Sequence, residues 1–120
     1  MSIQVTTYKS QHFQNDVNAL SFKENNFTFK RTRSVPEMLK NGNDMSHLIK
    51  IEKEGFQKPL YTMKIQKDLV VILILENKDN RSDYALTFLR AVRLHQLSEA
   101  VESLDTEEVY SAFNFKDFWT

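Results

Sequence analysis

Three histidines, sixteen carboxylates and no cysteine bound the reactions this 120-residue chain can support. His95 and Glu99 stand one helical turn apart and Glu102 follows a turn later, a spacing at which side chains of one helix can share a cation. Two or three such donors on one face also describe an ordinary solvated helix, so no metal is assigned to them. Asp79, Asn80 and Asp83 gather oxygen atoms at a turn, but the glycine and closing glutamate of a calcium loop are missing. The carboxylate pairs Glu52/Glu54 and Glu107/Glu108 would need two different environments in a concave site for acid–base work, and they read more simply as solvent-facing strand residues and helix N-terminal charges. Gly42 and Gly55, the two glycines, lie too far apart for a phosphate cradle or a dinucleotide fingerprint. His12, His47 and His95 have no Gly-x-Ser-x-Gly partner. The absence of cysteine removes disulfides, thiolate zinc sites, iron–sulfur clusters and thiol nucleophiles together. The expectation is a protein without catalytic turnover and without a cofactor.

Binding chemistry is richer. The last fifteen residues carry Tyr110, Phe113, Phe115, Phe118 and Trp119, and from Leu97 onward one base, Lys116, stands against six acids. Aromatics dominate the energetics of cores and interfaces alike, so this segment either closes the core or meets another molecule. As an interface, its aromatics would anchor a partner while Glu107, Glu108 and Asp117 steer the encounter. A second patch, Lys30, Arg31 and Arg33 after Phe27 and Phe29, has the ingredients of a single-strand nucleic-acid platform. It lacks the glycines of a ribonucleoprotein motif, and a net charge of zero supplies little long-range attraction to phosphate.

These residues must be carried by elements. Ile3 to Tyr8 alternates as a strand, and Tyr8, Phe13, Val17 and Leu20 are spaced for a short helix from about Ser10. Asn26 to Arg33 alternates, predicting a strand with Phe27 and Phe29 on one face. Ser34-Val-Pro-Glu37 has the form of a capping box opening one or two helical turns, with Gly42 as the stop. His47 to Lys53, Leu60 to Gln66 and Leu69 to Glu76 read as three strands, and the unbroken apolar run from Leu69 to Leu75 places the last at the centre of a sheet, covered on both faces. Asn77 to Asn80 reads as a turn, Ser82-Asp83 as a helix start, and Tyr84 to Leu104 as one long helix with two rotated apolar stripes. A terminal helix is expected from Glu107 to about Phe113.

Length and composition support one domain spanning 1–120 of α+β class, with an antiparallel-rich sheet of four or five strands and the long C-terminal helix packed on one face. The run Leu69 to Leu75 is too short to cross a bilayer and Met1 to Val5 has no signal-peptide character, so a soluble cytoplasmic protein is expected. In size, class and general character, across the whole chain and without a diagnostic motif, the sequence resembles the small phage proteins that bind and block host defence enzymes. Within that group it resembles inhibitors of sirtuin-type NAD-degrading bacterial defence proteins. The resemblance implies a non-enzymatic inhibitor whose partner is a larger host protein; it carries over no functional residue. An immunity protein or antitoxin, a single-strand nucleic-acid binder and a small phage structural subunit, such as a tail or head-completion protein, are the alternatives.

Overall fold

The computed structural model describes residues 3–42, 44–78, 82–105 and 107–118. Strand β1 (Gln4–Ser10) leads through helices α1 (Gln11–Asn18) and α2 (Phe22–Lys40) to β2 (Leu48–Ile51), β3 (Leu60–Gln66), β4 (Leu69–Asn77) and β5 (Asp83–Arg93). A 3₁₀ turn (Leu94–Gln96), helix α3 (Leu97–Glu102), strand β6 (Tyr110–Ala112) and a second 3₁₀ turn (Phe115–Asp117) complete the chain. One sheet takes the order β2-β3-β4-β5-β1-β6. Strands β2 to β5 form an antiparallel meander, β1 lies parallel to β5, and β6 pairs antiparallel with the free edge of β1. Among the described residues no helix is long and apolar enough to cross a membrane.

Two cores flank the sheet. On one face Phe13 and Val17 of α1 and Val35 and Leu39 of α2 pack over Leu69, Val71, Leu73 and Phe88. On the other, Ala100, Leu97 and Val101 of α3 pack with Ile72, Ile74, Leu89 and Val92. Alternate residues of β4 thus enter opposite cores, and its interior place and double burial are as the unalternating apolar run implies.

The α+β class holds, but the expected architecture is corrected: among the described residues the sheet is mixed, with six strands, and there is no long C-terminal helix. Tyr84 to Arg93 is strand, not helix. Its register shifts opposite Ile72/Leu73, leaving Leu89 extra between the pairs Leu73↔Phe88 and Ile72↔Arg90. The bulge changes the phase of alternation, so Phe88, Leu89 and Val92 acquire a helix-like spacing while entering two different cores. The expected terminal helix from Glu107 to Phe113 is likewise replaced, by β6.

The longest helix is α2, nineteen residues across the segment predicted as a strand and a separate short helix. Ser21 caps it, accepting from the Glu24 N–H at 3.2 Å. Its buried stripe is Asn25, Thr28, Thr32, Val35 and Leu39, a helical spacing hidden from a hydrophobic count by its polar members. Burial of the two threonines is compatible with their polarity because Thr28 Oγ1 donates to the Glu24 carbonyl at 2.9 Å and Thr32 Oγ1 to that of Thr28 at 2.7 Å. The supposed capping residue Ser34 lies inside this helix and donates to the Arg31 carbonyl at 2.6 Å. Gly42, at φ 68°, supplies the left-handed stop after Lys40.

Candidate protein-binding surface

The C-terminal aromatics are drawn together by the first core. Phe118 is 1% exposed, its ring 5.2 Å from Phe29 and 6.1 Å from Phe13, centre to centre. Phe113 and Phe115 are half-buried around it, 5.2 Å from each other. What holds the segment there is β6: Phe113 N donates to the Thr7 carbonyl at 3.0 Å, and Thr7 Oγ1 donates to the Phe113 carbonyl at 2.6 Å. Phe118 therefore serves as a plug in the aromatic cluster, with Phe113 and Phe115 packed half-buried around it. Trp119 lies outside the described residues, as do Asp79 and Asn80 of the weighed calcium loop.

The remaining C-terminal candidates face elsewhere. Tyr110 is half-buried against the second core; burial, and then the carboxylates of Glu108, Asp105 and Glu76, push its hydroxyl pKa up. Lys58 lies 5.5 Å over its ring and 3.9 Å from Glu76. Glu108 stands 4.0 Å from His12 Nε2, and Glu107 and Asp117 are exposed.

A cleft of about 600 Å³, lined mostly by polar side chains, opens between α1 and β6. Lys9, at the end of β1 and only 9% exposed, donates to Gln14 Oε1 and sits 5.0 Å over the Phe113 ring. Burial lowers its pKa, and the nearby Asp117 acts against that shift. Gln11, Gln14, Asn18 and Ser111 supply the other polar groups. These can hydrogen-bond a ligand. Among the described residues no three His, Asp or Glu side chains gather as a metal site; His95 sits in the 3₁₀ turn and Glu99 on α3.

The basic patch proves to be helical, which dismantles the flat stacking platform. Phe29 turns into the core with Arg33 stacked 5.8 Å over it, while Lys30, Arg31 and Phe27 stay at the surface. Beside them lies a residue missed in the sequence: Phe22, in the first turn of α2, is 86% exposed. Phe22, Lys23, Asn26, Phe27 and Lys30 line one shallow groove of about 240 Å³. A neighbouring hollow extends it to Leu20 and Asn25. The signal was the Ser21-x-x-Glu24 capping box, which starts the helix at Phe22 and sets Phe22, Asn26 and Lys30 at successive turns.

No protein-family model matches this chain, and no curated protein or solved structure matches it either.

Proposed function

We propose that this chain is a non-enzymatic binding protein that seats the first turns of α2 in an apolar, acid-rimmed groove of a larger protein and thereby blocks it. The observation that carries this is the exposure of Phe22 beside Phe27, with Lys23 and Lys30 at the rim of the same groove. A large aromatic held in water on a rigid helix has its ordering cost already met, and burying it against a partner removes roughly 150–250 Å² of surface. Anchors spaced along a helix and flanked by charge fit the helix-in-groove mode of recognition. The lysines set the sign of the complementary rim and favour an acidic one.

The partner we propose is a host defence enzyme of the sirtuin-type NAD-degrading kind, met in the host cytoplasm. What supports this identity is the chain's small size, its α+β class and its lack of cysteine, which fits a reducing compartment. The α2 surface replaces the C-terminal aromatics as the capture site because Phe118 is occupied in the core.

Capture of partners from a bacterial lysate, followed by titration calorimetry with the captured protein, tests the proposal. Lys23→Glu/Lys30→Glu should weaken binding at least ~10-fold with an unchanged melting temperature, and wild-type affinity should fall as salt rises. Undiminished binding by this variant would move the interface off α2. Failure to bind a purified NAD-degrading defence enzyme would discard that identity while leaving the surface to be judged on the captured partner.

A further inference from the structure

The basic face of α2 has an electrostatic complement on the same chain. Asp105, Glu107 and Glu108 cluster beyond α3, and within them Val109 is 84% exposed. Lys58 stands 3.9 Å from Glu76, His12 stands 4.0 Å from Glu108, and Lys53 donates to the Val101 and Glu102 carbonyls at the end of α3; from Leu97 onward the sequence holds six acids against one base. Tyr110, which follows this segment, packs into the core on the α3 side of the sheet, whereas Val35 and Leu39 of α2 pack into the opposite one. Phe22 at 86% and Val109 at 84% exposure do not cover each other within one copy, so a contact between the two surfaces joins two copies. A two-fold contact of α2 with α2 would set Lys23 and Lys30 against like charges, which disfavours that arrangement.

We propose that this chain self-associates head to tail, with Phe22 and Phe27 of one copy seated against Val109 of the next and Lys23 and Lys30 facing its Asp105, Glu107 and Glu108. The contact uses the α2 face that the proposed function assigns to a partner, so the two uses exclude each other and self-association keeps the aromatic groove covered until the partner displaces it. A head-to-tail contact leaves one free basic face and one free acidic face on every assembly, and growth passes beyond the dimer. With few apolar residues and many rim charges, it is weak and salt-labile.

Sedimentation velocity tests this on the purified chain. At roughly 25 mM salt the mean mass should rise from the 14.2 kDa monomer at about 1 μM to more than twice that at a few hundred μM, and it should return to monomer in roughly 500 mM salt. Lys23→Glu/Lys30→Glu and Glu107→Lys/Val109→Lys change exposed side chains, and each variant alone should stay monomeric. Mixed in equal amounts they should associate, because each retains the face the other has lost and the two reversed faces are again of opposite charge. A wild type that is monomeric throughout, a variant that still assembles alone, or a mixture that stays monomeric overturns the proposal. Should the acidic-face pair unfold, Glu107→Lys alone carries the same comparison. The acidic-face variant keeps α2 intact, so its partner capture reports on the proposed function independently of self-association.

Discussion

Asp16 holds the junction of α1 with the bulged strand β5. Its carboxylate accepts from Arg90 Nε at 2.7 Å and Nη2 at 3.2 Å, and one of its oxygens also takes the Ala91 N–H at 2.9 Å. Ser10 completes the junction by donating to the Leu89 carbonyl at 2.7 Å while capping α1 through the Phe13 N–H. Asp16→Ala would strand a backbone donor and a guanidinium together, and a loss of about 2 kcal/mol is expected, read as a melting temperature lower by roughly 8 °C. Asp16→Asn, which keeps an acceptor, should lose less. The pairing of Glu24 with Arg93, at 2.5 and 3.0 Å, makes stability pH-dependent. Chiefly through that hydrogen bonding, the Glu24 carboxyl is lowered from 4.5 to about 2. A depressed carboxyl stabilises the fold above its unfolded pKa and loses that contribution as pH falls through the folded value, so the window runs from about pH 4.5 down to about pH 2. Glu24→Gln should lower the melting temperature at pH 6, and the gap between variant and wild type should close across that window in thermal melts.

At the scale of elements, the short β6 acts as a clasp: three residues paired with β1 bring Phe113, Phe115 and Phe118 over Phe13, Phe29 and Phe88. Phe118→Ser removes a fully buried ring and should cost about 3–5 kcal/mol, enough to unfold much of a marginally stable domain, with chemical denaturation as the measurement. A variant that melts like wild type would mean that the plug is dispensable. The same elements show how far the sequence could be read. Strand β1, a helix starting near Ser10, and strands β2 to β4 were legible because alternation, apolar spacing and turn residues agree there. Strand β5 was not, since burial on both faces removes polar alternation and the bulge at Leu89 imitates a helical period. Helix α2 was concealed by the reverse effect: Thr28 and Thr32 occupy its buried stripe, while Phe27 and Phe29 alternate in sequence and part company in space. Of the basic patch, Lys30 and Arg31 are exposed, but on a helix and not on the expected strand, where Thr28 and Thr32 would have shared the wet face with Lys30. Phe22 was missed because its exposure follows from a helix start that the strand assignment erased.

Seen whole, the molecule segregates charge while its total is zero. Basic side chains gather on α2, and acids gather from Glu99 to Glu108. Such a layout governs how the protein meets other surfaces and has little bearing on how it folds. Phe22 lies mostly outside the core, and under the proposed function it is an anchor for the partner. The most direct test is the affinity of Phe22→Ser/Phe27→Ser for the captured partner, measured by calorimetry beside a thermal melt of the same preparation. Loss of two exposed anchors should weaken binding by at least ~30-fold while the melting temperature stays within a few degrees of wild type. Wild-type affinity in a folded double variant would contradict the assignment of α2 as the binding surface.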